Sequence, residues 1–185
     1  MENQQDNLKF PIGKYKAILD FNFSRTVEDI KTLESFSGDL RECVNGLDKT
    51  DFKKSYRDGG MNIAQIIHHF CDTHTYAFLR TKHTLLEENP GVKMYDVAEF
   101  LTTPDSNVLD VKDSLNVIEG IHAKWVSLLK TLSEEDFKKT YYHSSRDKNI
   151  ILHEHVGMYA WHTKHHIEHI KLAKKNIKQK GKRAK

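Results

Sequence analysis

Apolar residues recur at helical spacing in four stretches of this chain. From Thr26 to Leu47, the residues Val27, Ile30, Leu33, Leu40, Val44 and Leu47 fall on one stripe of a 3.6-residue period. Thr26 stands where an N-cap belongs, and Gly46 lies near the stop. The second stretch runs from Asn62 to Glu88, with Ile63, Ile66, Ile67, Phe70, Ala77 and Phe78 on one side. Asn62 followed by Gln65 has the spacing of a capping box, and "ENPG" ends the helix. The third covers Asp113 to Leu132, carried by Leu115, Ile118, Trp125, Leu128, Leu129 and Leu132. The fourth covers Leu152 to Ile177, carried by Leu152, Val156, Tyr159, Ala160, Ile167, Ile170 and Ile177. Four amphipathic helices of this length predict an all-α four-helix bundle.

The order of segments adds detail. "LDKTDFKKSY" (47–56) echoes "LSEEDFKKTY" (132–141), each after one helix and before a histidine-bearing one. The segment 89–112 is a long link between helices two and three. Its length permits a crossover, so the bundle need not run simply up and down. Residues 1–176 read as one domain and 177–185 as a basic tail.

Composition agrees with a helical protein. Hydrophobic residues make up 38% and charged residues 30%. Three Pro and 9 Gly in 185 residues argue against a loop-rich β fold. No apolar run approaches the ~18 residues of a membrane span. The start, "MENQQDNLKF", has no export-signal pattern. Cys43 and Cys71 do not make a disulfide framework, so a cytoplasmic location is expected. The net charge of +3 divides unevenly. Eight of the 29 basic residues lie in 171–185, leaving 21 against 26 acidic residues elsewhere. A basic tail can touch nucleic acid, but without interleaved aromatics it reads as a solvated helix end.

Twelve histidines change the picture. "YAWHTKHHIEHI" (159–170) holds His162, His165, His166 and His169 within eight residues. On a helix, i and i+4 are neighbours. His162 and His166 border the apolar stripe, His169 lies just beyond on that flank, and His165 points away toward water. Two neutral imidazoles one turn apart suit zinc or nickel, against the blander reading of hydrogen-bonded interface residues. A third ligand must come from elsewhere. "HHFCDTH" on helix two offers His68, His69, Cys71, Asp72 and His74. Periodicity does not choose among them; the blander reading is a buried His74, a core Cys71, and exposed His68 and Asp72. His83, His122, His143, His153 and His155 show no pattern. "HEHVG" (153–157) lacks the second histidine of a zincin motif, and no nucleophile elbow, P-loop or dinucleotide fingerprint occurs.

"YRDGGMNIAQIIHHFCDTH" (56–74), "LRTKHTLLEENP" (79–90), "YAWHTKHHIEHI" (159–170) and the opening "FPIGKY" (10–15) together resemble the YfiT branch of the DinB superfamily. The resemblance spans nearly the whole chain. It implies a four-helix bundle and a divalent metal, zinc or nickel, held by three histidines. Matched position by position, these are His69, the second of the "HH" pair, and His162 and His166. It further implies a metal-dependent hydrolase or a thiol S-transferase of the bacillithiol-using kind, and a homodimer. Met61 departs from the Trp usual in the family. A metal with three neutral ligands and open positions can ionise a bound thiol for attack on an electrophile, or acidify bound water for hydrolysis. The resemblance favours a low-molecular-weight thiol as co-substrate. Arg57, Arg80 and Lys82 are candidates for holding an anionic thiol, against ordinary surface solvation. The rival reading is a bundle that binds metal without catalysis.

Overall fold

The structure, a computed structural model, describes residues 4–18, 20–92 and 96–183. The side chains of 177–183, which include the predicted stripe residue Ile177, and residues 184–185 of the basic tail lie outside the described residues. A short helix α1 (Gln4–Lys9) leads through an extended segment to α2 (Phe23–Val44). Then follow α3 (Lys49–Phe52), α4 (Ile63–Leu86), β1 (Gly91–Val92), α5 (Val97–Phe100), α6 (Lys112–Leu129), β2 (Thr140–His143), β3 (Lys148–Ile151) and α7 (Leu152–Arg183). The helices α2, α4, α6 and α7 form the predicted bundle.

Local chemistry sets the helix ends. The capping box at α4 forms as predicted: Asn62 Oδ1 accepts from the Gln65 amide at 2.8 Å, and Gln65 Oε1 from the Asn62 amide at 3.0 Å. The first bundle helix starts earlier than Thr26. Asn22 is its cap, accepting from the Arg25 amide at 3.0 Å, while Thr26 is buried and donates back to the Asn22 carbonyl. Asn outranks Thr as an N-cap, and the apolar pattern could not register the polar turn before it. Gly46 has φ +75°, the left-handed conformation that stops the helix.

The topology has a turn the periodicity did not reveal. Helix α2 packs on α6 and α7, and α4 packs on the same two. So α2 and α4 lie diagonally, as do α6 and α7. The long link 89–112 joins spatial neighbours. The diagonal crossings are made by the two echoing segments instead. Each of these ends on a buried tyrosine, Tyr56 or Tyr141, directed at a histidine of α7. At the bundle centre Phe36 meets Phe70 edge-on, ring centroids 4.6 Å apart.

A three-stranded sheet, absent from the helical expectation, is built from the links. β1 runs parallel to β2 (Val92↔His143), and β2 antiparallel to β3 (Thr140↔Ile151). Asp147, at φ 47°, turns the hairpin. Strands of two to four residues are too short to show a period-2 signal. The sheet presents His143 beside α4 and launches α7. Cys43 and Cys71 are free thiols. Among the described residues no helix is long and apolar enough to cross a membrane.

Candidate metal centre

His69 on α4 and His162 and His166 on α7 converge inside the bundle. One ring nitrogen from each lies within 4.8 Å of the others. His69 Nε2 stands 3.1 Å from His162 Nε2. The rings meet edge to face, with centroids 4.5 to 5.2 Å apart. Phe70 forms an apolar floor, its ring edge-on to His162 and His166. Burial holds these imidazoles neutral. It pushes the pKa of His69 down to about 4, and those of His162 and His166 well below the usual imidazole range. A neutral imidazole keeps the lone pair a metal needs.

For His162 and His166, hydrogen bonds fix which nitrogen carries that lone pair. His122 Nδ1 lies 2.8 Å from the Leu33 carbonyl, which can only accept, so this nitrogen bears the hydrogen. His122 Nε2 is then an acceptor and takes the proton of His74 Nδ1 at 2.7 Å. His74 Nε2 accepts in turn from His162 Nδ1 at 3.1 Å. His162 Nε2 is left bare, facing His69. A second chain does the same for His166. His169 Nε2 donates to the Lys9 carbonyl at 3.2 Å, so its Nδ1 accepts from His166 Nδ1 at 3.2 Å. His166 Nε2 is thereby bare. His69 Nδ1 meets Thr73 Oγ1 at 3.2 Å, a hydroxyl that can donate or accept, and its Nε2 faces the bare Nε2 of His162.

The bare His162 Nε2, 3.1 Å from His69 Nε2, calls for a proton or a cation between the two rings. Ligand bonds of ~2.0–2.1 Å to one ion would span that gap. The donor set therefore fits a divalent metal such as zinc or nickel. The outer histidines match the usual pattern in which a ligand's second nitrogen is tied down.

Several side chains lie elsewhere than the sequence indicated. His165 is buried, 6% exposed, not directed to water. Its ring stacks on Trp161 at 4.4 Å, and Phe10 covers it at 6.0 Å. A helical wheel counts only bundle partners and misses the N-terminal segment lying over α7. With His166 and His169 it forms a second group of convergent nitrogens. His68 is also buried rather than exposed, bonded to Ser114 Oγ at 2.8 Å and the Val108 carbonyl at 3.0 Å. Asp72 is half-buried, and burial raises its carboxyl pKa. His74 is fully buried, as the helical period indicated. His122 and His169 act in the orientation chains, and only the adjacency of helices reveals it. Of the basic candidates, Arg80 lines a cavity of about 250 Å³ that opens beside His69 and His162. Arg57 lies over the Tyr56 ring and Lys82 over the Phe78 ring, away from that cavity.

Residues 32–170 match the family model described as DinB superfamily. The "Putative metal-dependent hydrolase YfiT" of Bacillus subtilis is 34% identical over 164 residues, 89% of this chain and 92% of that protein. The "Putative metal-dependent hydrolase OB0782" of Oceanobacillus iheyensis is 37% identical over 164 residues, 89% of this chain and 94% of its own. A solved structure aligns with TM-score 0.89 and 33% identity over 92% of this chain and 98% of that one. It is described as "YfiT from Bacillus subtilis is a probable metal-dependent hydrolase with an unusual four-helix bundle topology". The bundle with its diagonal connections, the histidine motifs and these matches lead to one assignment: the chain belongs to the DinB superfamily, among its YfiT-like proteins.

Proposed function

We propose that this protein is a metal-dependent enzyme in which His69, His162 and His166 hold one divalent ion, and that it activates a low-molecular-weight thiol for transfer to an electrophile. The observation that carries the reading is the convergence of three neutral imidazoles, two of them locked in orientation, with His69 and His162 lining a cavity. A metal there would supply Lewis acidity, ionising a coordinated thiol at neutral pH. The chain's own residues supply the rest. Phe70 and the surrounding aromatic rings exclude water from the inner face of the site. His74 and His122, with His169 on the other side, hold protons at Nδ1 or Nε2 so that the ligand nitrogens stay bare. Tyr159, its hydroxyl 3.2 Å from Arg80 Nη1, stays protonated because burial raises its pKa. It therefore serves as a hydrogen-bonding group and not as a base.

Hydrolysis of an amide or ester is the second reading, favoured by the names the relatives carry. Metal content of tag-free protein, measured by mass spectrometry beside His69→Ala and His162→Ala, tests the centre. About one zinc or nickel ion per chain, lost in both variants, is expected. Wild type that carries and binds none would remove the chemical basis of both readings. The cobalt-substituted protein then separates them: its absorption changes on thiol addition if thiols reach the metal. An unaltered spectrum leaves hydrolysis.

A further inference from the structure

The cavity beside His69 and His162 has a wall that the proposed metal centre does not use. Arg80, Arg146 and His143 line it. Arg80 sits within α4, 5% exposed, its guanidinium over the Tyr76 ring and donating to Tyr159. Arg146 comes from the β2–β3 turn and reaches the cavity from its exposed rim. Its Nη1 meets the Met158 sulfur at 3.7 Å, a weak acceptor, and Arg146 makes no ion pair among the described residues. The neighbouring carboxylate of Asp147 is taken by the Tyr142 hydroxyl at 2.5 Å. His143 is 5% exposed, and its Nδ1 is enclosed without a hydrogen-bond partner. Burial and the charges of Arg146 and Arg80 lower its pKa, so the ring is neutral. Among the described residues lining it there is no Asp or Glu.

Two guanidinium groups and an imidazole with an enclosed, unpartnered Nδ1, in a lining whose described residues include no carboxylate, call for an anion, and the forked guanidinium matches an oxyanion's geometry. We propose that this wall binds an oxyanion, a carboxylate or phosphoryl group, carried by the same small molecule whose other end reaches His69 and His162. This assignment of substrate class rests on the metal-centre reading above. A cavity of about 250 Å³ falls below the ~300–1,000 Å³ of ordinary ligand pockets, so the molecule is small.

Calorimetric titration of the full chain with 3-mercaptopropionate and with its methyl ester tests the proposal, in zinc-loaded and metal-stripped protein. The two probes share the thiol and differ in the charge. Wild type should bind the acid roughly ten-fold or more tightly than the ester, the scale of one charge-assisted hydrogen bond. Arg146→Gln, at an exposed turn, should bring that ratio toward one and leave ester binding and zinc content unchanged. Arg80→Gln should do the same, and Arg146→Gln carries the test if the buried change impairs folding. Displacement of the acid by inorganic phosphate marks a site open to phosphoryl groups; failure to displace narrows it to carboxylates. Equal affinity for acid and ester, or an undiminished ratio in Arg146→Gln, overturns the proposal. Failure of the metal-centre reading looks different: zinc adds no affinity for either thiol, while the acid preference persists in stripped protein.

Discussion

Replacing His122 by leucine probes the longer orientation chain at its far end. His122 is separated from the proposed ligand His162 by the whole of His74. Leucine refills the apolar space beside Phe36 and Trp125 but offers no acceptor. The proton on His74 Nδ1, which His122 accepts at 2.7 Å, is then stranded. Two responses are open. His74 keeps that proton and buries an unsatisfied donor, at a cost of about 1–3 kcal/mol. Or His74 moves it to Nε2, which forces His162 to accept at Nδ1 and to protonate Nε2, the nitrogen the metal requires. Metal-stripped protein can take the second route freely; metal-loaded protein cannot. The Leu33 carbonyl loses its donor in both forms, so that cost cancels from the affinity. The penalty therefore falls on binding. At ~1.36 kcal/mol per decade, zinc affinity should drop roughly 5- to 150-fold. That range brackets the ~10- to 100-fold typical of lost outer-sphere partners. Competition against a chromophoric chelator measures it, with thermal unfolding of the stripped protein as the control for folding. His122→Gln keeps a donor and an acceptor and should retain most of the affinity. A leucine variant within two-fold of wild type would show that His162 does not depend on this chain for its tautomer.

Other consequences are open to measurement. Gly60→Ala would place a Cβ 2.9 Å from Tyr56 Cε1. It should push Tyr56 off His169, on which it stacks at 3.8 Å, with a loss of about 1–3 kcal/mol in thermal unfolding and weaker zinc binding. Unchanged values in both would detach the Gly-Gly turn from the site. Metal-stripped protein should unfold steeply in acid. His69, His122, His165 and His169 are held down to about 4, against ~6.5 unfolded, so the unfolded chain binds their protons first. Their stability contribution is complete above the unfolded value and is lost as pH falls, each ring adding a slope of up to ~1.4 kcal/mol per pH unit. Circular dichroism against pH should show cooperative loss between pH 6 and 4, and zinc should move the midpoint to lower pH. A stripped protein still folded at pH 4, with no proton uptake, contradicts the buried-neutral assignment. Asn62→Ala removes one half of the α4 capping box and should cost about 1 kcal/mol, or roughly 2–4 °C in Tm for a chain of this size. A loss far outside that range would mean Asn62 does more than cap α4.

The four helices were legible in the sequence because each is governed by its own period and caps. The stripe of Ile63, Ile66, Ile67 and Phe70 is buried as the spacing required, and Asn62 and Gln65 form the box their separation announced. His162 and His166 were readable as a pair for the same reason: one helical turn separates them. His69 was not separable from His68 or Cys71 by periodicity, and the likeness to a known family singled it out. The diagonal placement of α2 and α4, the short sheet, the burial of His165 under Phe10, and the pairing of Arg80 with Arg146 at one cavity came only with the tertiary structure. Each joins residues far apart in the chain, and no local spacing encodes such a distance. The orientation chains show this most plainly. His74 and His122 lie on different helices, His169 is tied to the N-terminal segment, and both chains end on main-chain carbonyls, of Leu33 and Lys9. A carbonyl exists at every residue and carries no sequence signature. Which one faces an imidazole is decided by packing, and here that packing decides which nitrogens of His162 and His166 are left bare.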